Sequence, residues 1–185
     1  MNLIEEIKRY IPINEQEEMD KQIMLEFMTK HHDFLDRENR IGHFSASAWV
    51  VNHERTKVLM IYHNIYDSWS WVGGHADQEE NLIEVAMREL QEETGVQHAK
   101  LISKDIFSLE TLTVNGHVRK GIYVPCHLHF NITYLIEADE RDKLFIKPDE
   151  NKGVKWFTME EALKAPKEIW MVEHVYKKLV SRSKL

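Results

Sequence analysis

Glu89, Glu92 and Glu93 fall within one turn of the stretch GGHADQEENLIEVAMRELQEETGV (73–96), in a chain whose formal charge is already −7. Like charges three and four residues apart repel each other on a helix surface. Carboxylates tolerate such crowding when a cation stands among them, and hard oxygen donors suit Mg²⁺ or Mn²⁺. On a wheel at about 100° per residue, Leu82, Ile83, Ala86, Met87 and Leu90 form an apolar stripe, with Glu84 and Gln91 on the far side. Arg88, Glu89 and Glu92 line one edge of that stripe. Glu93 falls inside its sector, where a carboxylate is costly unless paired or metal-bound. Gly73 and Gly74 carry no side chain to hold a ligand off the backbone, and a glycine loop leading into a helix suits an anionic phosphate. Arg88 stands one turn before Glu92 and within reach of Glu80. An Arg88–Glu80 pair would clamp loop to helix and orient the carboxylates. Without the glycine loop, the same helix reads as a solvated acidic surface with i,i+4 pairs.

Elements must position these groups. Leu82 to Thr94, closed by Gly95, predicts a helix. Leu3, Ile4, Ile7 and Ile11 follow helical spacing up to Pro12, and Asn14 is the expected cap of a second helix with Met19, Ile23, Phe27 and His31 on one side. This pair, 1–36, reads as an N-terminal helical extension, either packed on the main domain or forming a homodimer surface. HFSASAWVVN and TKVLMIYH read as strands around a turn at Asn52–Arg55. AKLISKDIF, LETLTV, YVPCHLHFNITYLIEA and VKWFT (154–158) read as further strands, with Asn115-Gly116 a hairpin signal between two of them. Thr158 and Glu161 set a capping box. A last helix over 168–181 has Ile169, Val172, Val175, Tyr176 and Leu179 as its apolar side. The order predicts an α+β fold, a mixed sheet covered by helices, in one domain over 1–185 with its core at 41–165.

Composition agrees with a soluble globular chain: 185 residues, 43% hydrophobic and 30% charged. No apolar run approaches the length of a membrane span, so no membrane partner is expected. The N-terminus has acidic residues early and no unbroken apolar core, unlike a secretory signal. The lone Cys126 cannot form an internal disulfide, which makes a reducing, cytoplasmic compartment the expectation. Cys126 itself, in an apolar run, reads as inert core. A pI near 5.9 argues against a nucleic-acid polymer as partner. A polyanionic substrate would need positive charge, and bound metal supplies it.

Position by position, the acidic stretch resembles the Nudix box of the Nudix (MutT-like) hydrolases: Gly74, five residues, Glu80, seven residues, Arg88-Glu89, Leu90, one residue, Glu92-Glu93, one residue, Gly95, Val96. The similarity extends over 41–165, and GHFSASAWVVN with GGHAD resembles a subgroup carrying an N-terminal helical pair. The resemblance implies a Nudix-type α/β/α sandwich with a mixed central sheet. It also implies divalent-metal-dependent hydrolysis of a pyrophosphate bond in a nucleoside diphosphate linked to another moiety, a small nucleotide-type substrate. Carried over by position, Glu92 and Glu93 are metal ligands, Glu89 a ligand or general base, and the Gly73 carbonyl a further ligand. Arg88 and Glu80 become the orienting pair. Family members often add a carboxylate from a late loop, for which Glu150, six residues before Trp156, is the expected residue and Asp149 the next. One departure is Val72, where proline is usual. Two alternatives share the scaffold: an isopentenyl-diphosphate-isomerase-like enzyme, with an altered box and an early catalytic cysteine, and a nucleotide-binding domain that has lost catalysis. Here the box is intact and no cysteine precedes Cys126. The proline or tyrosine that marks some substrate subfamilies beyond the box is absent from Thr-Leu-Thr-Val (111–114), which leaves the substrate open.

Remaining candidates lie outside the box. His127 and His129 alternate and share one sheet face. With Tyr123 they are expected to line the substrate pocket, or else to be ordinary polar positions on a half-exposed strand. As a zinc site the pair lacks a third ligand at a recognisable spacing. His75, directly after the glycines, is expected at the phosphate. Of the aromatic residues before the box, Trp71 is a candidate to stack on a nucleobase, with core packing as the alternative.

Overall fold

The computed structural model describes residues 2–119 and 121–184. Helices α1 (Leu3–Arg9) and α2 (Glu15–Lys30) begin on the caps that the sequence supplies, with the Asn2 and Asn14 side chains accepting from the amides of Glu5 and Glu17. Strands β1 (Gly42–Val51), β2 (Lys57–His63), β3 (Ser68–Ser70) and β4 (Val72–His75) precede α3 (Leu82–Thr94). Then come β5 (Ala99–Leu101), β6 (Ser108–Val114), β7 (His117–Arg119), β8 (Ile122–Val124), β9 (His127–Ala138) and β10 (Asn151–Thr158). The chain continues through α4 (Met159–Ala162), α5 (Ile169–Met171), a π turn (Val172–Tyr176) and α6 (Lys177–Ser183).

The main sheet runs β10-β2-β1-β9-β5, with β3 on β2, β4 on β1 and β6 on β9. It is mixed: β1 and β9 are parallel from Gly42↔Leu128 to Val51↔Glu137, and the other pairs are antiparallel. Side-chain alternation on β1 feeds two cores. Phe44, Ala46, Ala48 and Val50 join Leu82, Val85, Ala86 and Leu90 of α3, together with Ile7, Met24 and Phe27 of the N-terminal helices. Trp49 and Val51 face a second core with Val175, Tyr176 and Leu179. The result is the expected α+β sandwich, a curled mixed sheet between helical layers. Among the described residues, no helix is long and apolar enough to cross a membrane.

Four local expectations are corrected. α2 buries Phe27 as expected but not Met19 and Ile23, which are exposed; Glu17, Met24 and Met28 are buried in their place. Glu17 is held inside by Lys178 at 2.8 Å, which turns the helix away from its most apolar stripe. Asn115-Gly116 does not join neighbouring ladder strands. It opens an excursion carrying the separate β7–β8 hairpin, after which Val114 still pairs with His127. Only Ala99–Leu101 of AKLISKDIF is strand. YVPC is split from β9 at Pro125, and Cys126 is exposed rather than core. The capping box is present, with Thr158 and Glu161 bonded reciprocally.

Candidate active site

α3 carries the acidic group, and its termination places it. Gly95 adopts φ 77° and its amide bonds Gln91 O at 2.9 Å, so the helix stops one residue after Glu93–Thr94. β4 lays Gly73 and Gly74 against Ser47 and Ala46 of β1. The glycines are needed for close approach. A Cβ on Gly74 would lie 2.5 Å from the Glu89 carboxyl carbon, and one on Gly73 would lie 2.6 Å from Ala46 O.

A cleft of about 510 Å³ opens beside this corner, lined among others by Arg37, Asp77, Arg88, Glu89, Glu92, Lys147 and Glu150. Glu93 is 2% exposed, and its Oε2 accepts from the Gly73 amide at 3.1 Å. Burial pushes its carboxyl up to about 8; the Gly73 bond opposes the shift, and the charges of Glu89 and Glu150 add to it. Burial also raises Glu89, against Arg88 and with Glu150 and Glu92. Lys147 Nζ lies 3.0 Å from Glu92 and 3.1 Å from Glu150. Four carboxylates thus converge on one corner with a single lysine bridging two of them. A buried, high-pKa carboxylate facing others is a donor set that fits a divalent cation.

The expected residues divide. Glu89, Glu92 and Glu150 share the cleft, with Glu93 behind the glycine strand. Arg88 meets Glu89 at 3.5 Å, while Glu80 stands exposed before the helix, so the Arg88–Glu80 clamp is not formed. Trp71 does not offer a stacking face: it is 9% exposed and packs edge-on against Tyr176 in the second core. Tyr123 is 66% exposed on the outlying hairpin, away from the strand of His127 and His129.

His75, His127 and His129 do come together, and with a residue the sequence reading missed. Parallel pairing sets His43 opposite His129, and antiparallel pairing sets His75 opposite Ser45. The His43 ring centroid is 5.0 Å from His75, 5.0 Å from His127 and 4.9 Å from His129. The neighbours of the histidine pair therefore come from other strands, invisible to spacing along one. Arg37 and Lys147 were also missed. Arg37, salt-bridged to Asp77, comes from an aperiodic polar loop, and the one available signal for Lys147 was its position three residues before Glu150.

The chain resembles several known proteins. It is 25% identical to a probable DHNTP pyrophosphohydrolase of Lactococcus lactis, over 76% of this chain and 81% of that protein. It is 31% identical to the asymmetrical bis(5'-nucleosyl)-tetraphosphatase of Rattus norvegicus, over 51% of this chain and 58% of that protein. Its fold matches a C. elegans Ap4A hydrolase at TM-score 0.54 and 18% identity, covering 76% of this chain and 94% of that one. The E. coli dihydroneopterin triphosphate pyrophosphohydrolase matches at TM-score 0.53 and 16% identity, covering 75% and 94%. The profile of the NUDIX domain matches residues 42–179. That span contains the acidic helix, the glycine strand and the whole sheet that positions them, and the chain belongs to the NUDIX family as a Nudix hydrolase.

Proposed function

We propose that this chain is a divalent-metal-dependent hydrolase of the pyrophosphate bond in a nucleoside diphosphate linked to another group. Buried Glu93, raised to about 8 and facing Glu89 and Glu150, carries the reading, because a carboxylate so placed calls for a cation. Glu89, Glu92, Glu93, Glu150 and the Gly73 carbonyl would hold it, with Mg²⁺ or Mn²⁺ as the hard ions suited to oxygen donors. Bound there, such an ion neutralises charge on phosphate oxygens and acidifies a water. Glu89, raised by burial, takes the proton of the attacking water. That water adds to phosphorus in line, and the bond to the departing phosphate oxygen breaks. Arg37 and Lys147, both lining the cleft, draw in and orient the diphosphate. Arg88, paired with Glu89, keeps that carboxylate directed. A small nucleotide-type substrate in a reducing, cytoplasmic setting completes the reading.

The intact box favours hydrolysis over a binding module, and the exposed, late Cys126 offers nothing to an isomerase. The relatives' names put a bis(5'-nucleosyl) tetraphosphate and DHNTP first in a substrate panel, followed by nucleoside diphosphate sugars. Phosphate or pyrophosphate release with Mg²⁺, absent under chelation, is the expected result. Binding of every panel member without turnover would overturn it.

A further inference from the structure

Four histidines on the sheet are not among the residues that line the glutamate cleft, and the hydrolysis proposed above uses none of them. His43, His75 and His129 each offer a ring nitrogen, and these nitrogens all lie within 4.8 Å of one another. The rings come from three strands, β1, β4 and β9, locked by ladder pairing. Val72 and Ala48 face the α3 core, so alternation puts His75 and Ser45 on the opposite face of the sheet.

His43 shows most clearly what this group lacks. It is 3% exposed, and its Nδ1 lies 3.1 Å from Asn39 O. A carbonyl only accepts, so Nδ1 carries the proton and Nε2 presents a lone pair. That Nε2 is buried and has no hydrogen-bond partner. A buried acceptor left without a donor is destabilising, and here it lies among other imidazoles. His127 is fixed in the same way. Its Nδ1 donates to Pro125 O at 2.9 Å, leaving its Nε2 3.2 Å from His129 Nε2. Backbone carbonyls holding the far nitrogen of a histidine are the usual support of a metal ligand.

We infer a second metal site, made by His43, His75 and His129, that takes a borderline transition ion such as Zn²⁺ and keeps a fourth position open. Nitrogen donors without carboxylates suit Zn²⁺ or Co²⁺, not Mg²⁺. With metal–nitrogen bonds of about 2.0–2.1 Å, tetrahedral ligand nitrogens stand about 3.3 Å apart. The present nitrogens, within 4.8 Å of one another, would close on the ion to reach that spacing. Three histidines and an open position form a site that binds an added anion or water. The inference does not depend on the hydrolase reading, since it uses none of the glutamates.

Co²⁺ is the probe, added to the chelator-stripped full chain in excess Mg²⁺ so that oxygen sites are occupied. One Co²⁺ per chain is expected, with the visible absorption of a four-coordinate nitrogen site that Zn²⁺ abolishes. The band should persist in the double variant Glu92→Gln/Glu93→Gln. In His75→Ala and His129→Ala, Co²⁺ affinity should fall about tenfold or more. In case a variant fails to fold, Zn²⁺ titration of wild type followed by imidazole ¹⁵N resonances gives the same answer. His43, His75 and His129 should shift with saturation at one equivalent. No Co²⁺ uptake beyond what Mg²⁺ displaces, an unchanged band in a folded His75→Ala, or unmoved imidazole nitrogens would overturn the site.

Discussion

Two groups of carboxylates in this molecule meet opposite treatment. Glu17 of α2 and Glu110 of β6 are both fully buried, and Lys178 of α6 places its ammonium 2.8 Å from each. Tyr10 donates to Glu17 at 2.7 Å, and Ser108 donates to Glu110. Burial acts to raise Glu17, but the Lys178 pair overrides it and leaves the carboxyl lowered. That cluster supplies its own cation and ties the N-terminal helices to the C-terminal helix. At the cleft, Glu89, Glu92, Glu93 and Glu150 converge, and Lys147 reaches only Glu92 and Glu150. Glu93 is raised to about 8 where Glu17 is lowered. A carboxylate cluster with a built-in cation stabilises the fold. One with a single lysine for several carboxylates is, on the reading proposed above, a place for a divalent ion.

The sharpest break of this contrast is Lys178→Met. Two buried carboxylates would lose their counter-charge, and removal of one partner from a buried ionic group costs about 3–5 kcal/mol. A large fall in the urea midpoint is expected, and an unchanged midpoint would show that the pair is not structural. Glu93→Gln should do the reverse. It replaces a carboxyl that the metal-free fold keeps protonated below about 8 with a neutral amide of the same shape, so the midpoint holds, while turnover falls about 10²–10³-fold, comparable to loss of one electrostatic catalytic group. Full activity with Mg²⁺ in this variant would remove Glu93 from the metal site.

Acid–base behaviour separates Glu93 from Glu17 next, while Glu110 beside Lys178 is raised by burial as Glu93 is. In metal-free protein the folded state holds a proton on Glu93 that the unfolded chain releases near the ordinary value of 4.5. The folded form therefore binds more protons between 4.5 and about 8, and its stability falls as pH rises through that window. One proton gives a slope of at most about 1.4 kcal/mol per pH unit. Lowered Glu17 works in the opposite sense, contributing stability that is lost as pH falls below the ordinary glutamate range. Urea midpoints across this window under chelation should decline in wild type and flatten in Glu93→Gln. A slope unaffected by that substitution would assign it elsewhere.

The sequence made the cleft cluster easier to read than the buried one for a physical reason. Box spacing, the helical period of α3, the αL glycine and the capping box are all local, so residues 74–96 and 158–161 reveal them directly. Glu17 meets Lys178 and Glu110 only through tertiary packing, and in isolation α2 presents Met19 and Ile23 as its apolar side. His43 and His129 become neighbours through parallel pairing of strands far apart in the sequence, which no local period encodes. Trp71 illustrates the converse. Its aromatic character suggested a ligand contact, yet the C-terminal helices that bury it lie a hundred residues later in the sequence.

Lys147 is the finest test of the comparison, because it is the cleft's partial answer to what Lys178 does fully. Its ammonium bridges Glu92 and Glu150 where a divalent ion would also draw them together. Lys147→Met removes that competitor and leaves the two carboxylates with unrelieved repulsion. Partly exposed ion pairs are worth about 1 kcal/mol, so Mn²⁺ affinity measured by calorimetry should tighten about fivefold. The same substitution removes a positive group from the wall that faces the diphosphate, so KM should rise. Metal affinity and substrate affinity then move in opposite directions, which a lysine serving only as a structural strut would not produce. If Lys147→Met weakened Mn²⁺ binding, the lysine would be organising the carboxylates for the ion instead of standing in for it.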